Sequence, residues 1–287
     1  MTFKVEATIL ADSISPSGQR ITTFQLRYPR FIHSELMTHR VFSRNASSSR
    51  AIPVVRMLEQ VRNEPAMPCH WGKNQSGMQA KVELEPTLRD EAIEQWKLAA
   101  DMAADIAEQM VGIGLHKQVA NRILEPFQYI SVVLTATEYG NWFELRDHED
   151  AQPEIRELAI AMRECMDHSL PLLLQPGEWH LPYITDEERE LYPTDLLLQV
   201  SAARCCRVSY LRHDGQAPDV QKDLALCEQL VGARPLHASP FEHQATPDVQ
   251  ANWFTKLMTG KQYRNPHQHG NFSGWVQHRK LIESKFY

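Results

Sequence analysis

Apolar and polar residues alternate along two short stretches near the start of the chain. Val5, Ala7 and Ile9 alternate with polar neighbours, and Ile21, Thr23 and Gln25 share one face while Thr22, Phe24 and Leu26 share the other. The turn sequence Ser15–Gly18 between them predicts a β-hairpin. Pro29 breaks the pairing. Ile32–Arg44 then reads as a short helix carrying two histidines, residues 45–53 as a polar loop, and Val54–Arg62 as a second helix. Pro65–Pro86 holds too much Gly, Pro and Asn for a regular element and reads as a long loop.

A long helix is predicted from Thr87, with Thr87 as N-cap and Asp90 three residues on. Ile93, Trp96, Ala100, Ala103, Ile106 and Met110 recur at helical spacing, and Gly112 and Gly114 end the run. Phe127–Thr137, rich in β-branched and aromatic residues, predicts a strand. Another helix starts at Pro153 and buries Ile155, Leu158, Ala159, Met162 and Met166. Two more are expected near Thr194–Arg204 and Asp219–Val231, whereas the tail from Gly260 carries few structural signals. No Ser/Gly linker or low-complexity tract divides residues 1–287, so the pattern predicts one α+β domain.

Composition narrows the function classes. Hydrophobic residues at 43% exclude wholesale disorder, and a net charge of -6 argues against a general nucleic-acid coat protein. No apolar run has the length of a membrane span, and the start of the chain lacks a secretory signal pattern. The five cysteines form no CxxC pair, which argues against a disulfide scaffold or structural zinc and fits a reducing cytoplasm. Cys69-His70 and the pair His267 and His269 lack a second pair at zinc spacing, so no metal site is expected. Cys205-Cys206 reads as buried thiol.

The densest chemistry lies between Thr38 and Arg50, where His39 and Arg40 lead into a Ser-rich stretch closed by Arg50. Serine hydroxyls, loop N–H groups and guanidinium forks together bind phosphate. The same residues also read as a polar helix end with solvated cations.

The spacing His39-Arg40, seven residues, Ser48, with Ser43, Asn45 and Arg50 in register, resembles the RHRxxSxNxxSxR signature of flavin-dependent thymidylate synthases. Thr38 replaces the first Arg, Ala46 the usual Glu, Ser49 the usual Gly and Ala51 the final Tyr. A second block, Phe143–Arg146 followed by Ala151–Ala159, is similar to that family's FLxLR…HAQxEIRxLA, and Arg122–Pro126 resembles its RxxLP. A third, Ala203–Tyr210 with Leu236–His243, resembles AARVSY…GHxSPFEH. In the family that block precedes the RHR signature, so the resemblance implies a permuted segment order. The tail Asn271–Lys280 looks like a degenerate copy of the strand and RHR end, with Arg279 placed to supply the charge that Thr38 lacks.

The resemblance implies an antiparallel sheet with flanking helices. The chain divides into an RHR-type segment (1–63), a long loop (64–86), a helical and substrate-arginine segment (87–173) and the permuted segment (194–287). It further implies FAD as cofactor, NADPH and methylenetetrahydrofolate as co-substrates, dUMP or dCMP as substrate, and a cytoplasmic homotetramer. Ser48, Ser49, Arg50 and Arg122 are then expected to hold nucleotide phosphate, and Arg146 to meet the pyrimidine, with Arg146 and Ser48 as the catalytic pair. His39, Arg40, Asn45, Asn141, Ser209, His237 and Ser239 are expected to line the flavin. A 5-hydroxymethylase of the same family and a non-catalytic nucleotide- or RNA-binding relative are the alternatives. The tail cations Lys261, Arg264, Arg279 and Lys280, set among Tyr263, Phe272 and Trp275, fit single-strand stacking as well, but a cofactor pocket accounts for them without a polymer. Glu242 also reads as a structural ion-pair partner.

Overall fold

The alternating stretches form the expected hairpin. In the computed structural model, which describes residues 3–209 and 215–286, β1 (Glu6–Ile14) and β2 (Arg20–Pro29) pair antiparallel from Glu6↔Arg27 to Ile14↔Arg20. Gly18 closes the turn at φ 81°, a conformation that costs other residues a steric clash at Cβ.

The next segment departs from expectation. The predicted helix over Ile32–Arg44 shrinks to one turn, α1 (His33–Leu36), and Ser43–Ala46 is instead a strand, β3. Arg44 explains the early stop: its Nη1 donates to the carbonyls of Leu36, Met37 and His39, satisfying groups that a longer helix would have bonded internally. Residues 43–46 pair antiparallel with β4 (Tyr129–Ala136), which also pairs with β2.

Helix α2 (Val54–Asn63) matches the reading, and α3 (Pro86–Gly112) begins one residue early. Thr87 is not its cap. Pro86 takes the first helical position and holds Glu85 extended at the cap, as proline does to the residue before it. The buried stripe is a narrow seam of Ala100, Ala104 and Ala107 against Met57, Leu58 and Val61, while Ile106 is exposed. A short α4 (Lys117–Ala120) and a 3₁₀ segment over Asn121–Phe127 lead into β4. Then come α5 (Gly140–Arg146), α6 (Pro153–Asp167) and the two-residue β5 (Leu172–Leu173).

β5 runs parallel to β1, so the sheet is mixed, in the order β3-β4-β2-β1-β5. The purely antiparallel sheet expected from the sequence is corrected at this edge alone. Beyond it lie α7 (Asp186–Leu191), α8 (Thr194–Arg207), α9 (Val220–Gly232), β6 (Ala245–Pro247) and α10 (Trp253–Thr259). The tail is more regular than its sequence announces: β7 (Trp275–Gln277) pairs with β6, and α11 (His278–Glu283) follows. Tyr210, which closes the Ala203–Tyr210 block, lies outside the described residues.

Strand alternation divides the two faces of the sheet by chemistry. Phe24, Leu26 and Tyr28 of β2 with Ile130, Val132 and Leu134 of β4 face Trp142 of α5 and Ile155, Leu158 and Met162 of α6. This is the main core, where each fully buried side chain of this size contributes roughly 1.5–3 kcal/mol. The opposite face carries Thr23, Val133 and Thr135, and meets Tyr183, Val208 and the buried thiol of Cys205. Among the described residues no helix is long and apolar enough to cross a membrane.

Candidate functional site

β3 is an edge strand, and the residues from His39 to Arg50 run along the rim of the sheet. They meet other site residues in three places.

At the first, His39 follows α1 and its ring is fixed edge-on to Trp142, with centroids 4.8 Å apart, and against Phe42. Arg146, the last residue of α5, donates from Nε to His39 Nε2 at 3.1 Å and from Nη1 to Glu35 at 2.9 Å. Burial, then Arg146, then Arg44 push the His39 pKa down, so the imidazole is neutral at pH 7 with its proton on Nδ1. Arg146 Nη2 has no hydrogen bond among the described residues.

Arg146 and Glu35 line a cleft of about 1420 Å³, ample for a nucleotide and a second ligand. One wall is the start of α6, where Glu154 is buried and accepts from the backbone of Cys69 at 2.9 Å. Arg156 also lines the cleft, and its Nε is buried without a partner. The long loop straps the opening: Gln79 Nε2 donates to the Asp150 carbonyl at 3.1 Å, and Lys81 pairs with Asp150 at 3.1 Å.

The second place is the middle of β3. The Asn45 amide end lies 3.2 Å from His243 Nε2 and faces the carbonyls of Ser239 at 3.2 Å and Arg44 at 3.1 Å; two carbonyls there require it to be the nitrogen. Asn45 thus donates to His243 and to the Ser239 backbone, while the Ser239 side chain is exposed.

The third place is the turn after β3. The Asn121 side chain donates to the carbonyls of Ser49 and Ile52 at 2.7 and 3.1 Å, and Lys117 donates to that of Ala51 at 2.9 Å, which pins the turn. Ser49 is buried. Its hydroxyl donates to Glu125 Oε1 at 2.9 Å, and that same oxygen accepts from Arg122 at 2.7 Å and lies 3.1 Å from Arg30. Ser48 and Arg50 are exposed, and the Ser48 hydroxyl accepts from the Arg50 backbone N–H at 3.3 Å.

The fold therefore brings together His39 with Arg146, Asn45 with Ser239, and Ser49 with Arg122. It does not gather the expected residues into one pocket of a single chain. Ser209 lines a separate cleft of about 560 Å³ beside Tyr183 and Gln25. Arg40, Asn141 and His237 are exposed, with no side-chain hydrogen bond among the described residues. Arg279 does not stand free to replace the charge missing at Thr38; it pairs with Glu242 and, at 2.6 Å, with Glu283. Glu242 is thus the ion-pair partner that its sequence context allowed.

Glu35, Trp142, Glu125, Arg30 and His243 were missed. Two of them carried a signal: Glu125, the carboxylate standing where the resembled RxxLP pattern has leucine, and His243, the last residue of the SPFEH block. Among the described residues no three His, Cys, Asp or Glu side chains stand close enough to hold a metal ion.

The family model described as thymidylate synthase complementing protein matches residues 12–172, which contain the three meeting places except Ser239 and His243. The Ala203–Tyr210 and Leu236–His243 blocks lie outside that match. No curated protein matches the chain. Among solved structures, the UMP/dUMP methylase PolB from Streptomyces cacaoi bound with 5-Br UMP is 17% identical, with a TM-score of 0.47 over 60% of this chain and 91% of that one. The same enzyme bound with 5-Br dUMP is 16% identical, with a TM-score of 0.48 over 60% of this chain and 92% of that one.

Proposed function

The chain belongs to the thymidylate synthase complementing protein family, whose model spans more than half of it, and from that membership we propose that it converts dUMP to dTMP. Methylenetetrahydrofolate is the one-carbon donor, NADPH the reductant and FAD the cofactor. The donor carbon replaces the hydrogen on pyrimidine C5, which leaves as a proton. Its two C–N bonds to the folate break, tetrahydrofolate leaves with protons on those nitrogens, and the carbon becomes methyl on receiving a hydride. FAD, when bound and reduced, supplies that hydride.

The observation that carries the reading is Arg146. Two of its nitrogens are committed to a neutral imidazole and a carboxylate, and the third is open on the wall of a cleft of nucleotide size. A guanidinium fixed this way stabilises negative charge that develops on a pyrimidine carbonyl, without reorganising during reaction. His39 and Glu35 hold it in place. Ser48, Ser49, Arg50 and Arg122 stand outside that cleft on the same rim, and hold the phosphate through charge-assisted bonds in a site completed between copies.

The donor set fits a flavin dinucleotide. Arg40, Asn141 and His237 are exposed donors without side-chain partners, and the buried Arg156 Nε lacks an acceptor. With His39, Asn45, Ser209 and Ser239 they are the residues that would hold FAD. Their spread along an edge strand and a separate cleft supports a site completed between copies, hence a homo-oligomer. The whole chain acts as one catalytic domain in which residues 194–287 supply, in permuted order, what the family carries ahead of the RHR signature.

The visible spectrum of the purified protein tests this, with and without added FAD and dUMP. An oxidised-flavin spectrum that shifts on adding dUMP is the expected result, and product mass then separates a methyl from a hydroxymethyl product and dUMP from dCMP as substrate. A protein that neither retains nor takes up FAD would overturn the reading and leave a nucleotide-binding relative.

A further inference from the structure

Three donors converge on one oxygen at the turn after β3: the Ser49 hydroxyl, Arg122 Nη1 and Arg30 Nη2 all lie within 3.1 Å of Glu125 Oε1. A hydroxyl and two guanidinium groups around a single anionic oxygen is the arrangement that recognises a phosphate oxygen. Here the anion belongs to the protein. The turn is held from behind by Asn121 and Lys117, so the cradle is organised without a ligand. Ser49 is buried, and the Arg122 side chain is half exposed, which leaves the cradle an open side.

We propose that Glu125 is an internal competitor for phosphate: nucleotide enters this cradle by exchanging a phosphate oxygen for the Glu125 carboxylate, and Glu125 thereby sets the preference of the site between nucleotide and nucleoside. The proposal rests on the reading of Ser49 and Arg122 as phosphate ligands given above. A carboxylate and a phosphate oxygen cannot occupy one point, and two anions a few ångströms apart repel strongly in a partly buried setting. Arg30 is a third ligand of the cradle, which the motif reading leaves out.

The sign of this effect separates it from the ordinary alternative. Were Glu125 only a scaffold for Arg122, removing it would loosen the arginine and weaken nucleotide binding. A competitor, when removed, leaves the donors unoccupied and strengthens it. The gain is confined to ligands that carry the phosphate.

Calorimetric titration of the full-length protein with dUMP and with deoxyuridine tests this, on wild type, Glu125→Leu and Glu125→Gln. Glu125→Leu is expected to bind dUMP about ten-fold tighter or more, a change equivalent to about 1.4 kcal/mol, with deoxyuridine affinity unchanged. Glu125→Gln keeps the shape without the charge and is expected to move the same way by a smaller factor; it carries the test should the leucine variant fail to fold. Ser49→Ala added to Glu125→Leu is expected to cancel part of the gain. Wild type that binds dUMP, with both variants equal or weaker, overturns the competitor and leaves the nucleotide reading intact. No dUMP binding by any of the proteins overturns the nucleotide reading and this proposal with it.

Discussion

Thr23 and Thr135 face each other across β2 and β4 with their hydroxyl oxygens 2.7 Å apart, and together they form the centre of a buried hydrogen-bonded chain. On one side Thr135 meets His243 Nδ1 at 2.8 Å, and on the other Thr23 meets His180 Nε2 at 2.7 Å, with Ser13 at 2.9 Å beyond. Asn45 donates to His243 Nε2, so His243 carries its proton on Nδ1, and every later bond is then set in direction as far as Ser13. The amide on the rim of the site is thereby locked to β1 through four intervening side chains.

That chain works only with both imidazoles neutral. Burial pushes His180 and His243 down to about 3 from an ordinary 6.5. In the unfolded chain they take up protons near pH 6.5, in the fold only near 3. Between those values the unfolded state binds more protons, so stability is full above about pH 6.5 and falls as the pH drops through the window. At the steepest the two histidines contribute roughly 3 kcal/mol per pH unit. Urea midpoints measured between pH 7 and 4 are expected to fall accordingly, and Thr135→Val to cost stability at every pH by leaving His243 without its acceptor. A midpoint that is flat over this range would show that the pair titrates freely.

Removing the guanidinium beside His39 has two separable effects. Arg146 helps to hold the His39 pKa down, after burial and ahead of Arg44. In Arg146→Ala the imidazole is expected to titrate at higher pH, followed by NMR. dUMP affinity is expected to fall roughly 10- to 150-fold, the loss for one charge-assisted bond of about 1.5–3 kcal/mol. Glu35→Gln should move the nucleotide affinity far less. Equal losses in the two variants would make Arg146 only a partner of Glu35.

Arg204 is, like its partner Asp223, a fully buried charge. Its side chain is fully enclosed, bonded to Asp223 at 2.9 Å, to Glu188 at 2.5 Å and to the Tyr183 carbonyl at 2.6 Å, and Arg207 shares Asp223. Arg204→Met leaves two carboxylates short of a counter-charge, and is expected to cost about 3–5 kcal/mol. A denaturant midpoint within error of wild type would contradict this. Because Arg204 and Arg207 lie in the Ala203–Tyr210 block, part of what resembles a flavin motif is here committed to tying α8 to α9.

What was legible in the sequence follows physical range. The hairpin and α6 show in local periodicity, because β2 alternates apolar Phe24, Leu26 and Tyr28 toward the main core with Thr23 and Gln25 away from it, and α6 buries one stripe. β3 does not, since Ser43 and Asn45 face inward as polar residues satisfied by distant partners: Gln277 and Asn271 bond Ser43, and His243 accepts from Asn45. The same long-range bonds hold β7, which is why the tail carries no local signal. In the site, motif spacing singled out His39, Arg146, Ser49 and Arg122, but not that the first two touch or that Glu125 lies between the last two. His39 and Arg146 are 107 positions apart and Ser49 and Glu125 are 76 apart, and no local pattern encodes either pairing; only the Arg122–Glu125 pair, three positions apart, is local.

The strap over the large cleft depends on one position where a side chain has no room. A Cβ on Gly72 would stand 2.3 Å from the Ala80 Cβ and 3.0 Å from the Ala80 carbonyl oxygen. That closeness lets residues 70–84 fold on themselves, with His70 bonded to the Ala80 carbonyl at 2.6 Å, the Lys73 N–H to Val82 at 2.6 Å and the Leu84 N–H to Trp71 at 2.9 Å. The tip then reaches Asp150 across the opening. Gly72→Ala forces the two strands of the strap apart, while the main core on the sheet is untouched. Global stability is therefore expected to stay within about 1 kcal/mol of wild type. Limited trypsin cleavage after Lys73 and Lys81 is expected to accelerate several-fold, since opening this segment no longer requires breaking as many bonds. dUMP affinity should fall in parallel, because the strap encloses the wall that bears Arg146. Unchanged cleavage would mean that the strap holds without this close approach, and faster cleavage with unchanged dUMP affinity would separate the strap from the nucleotide site.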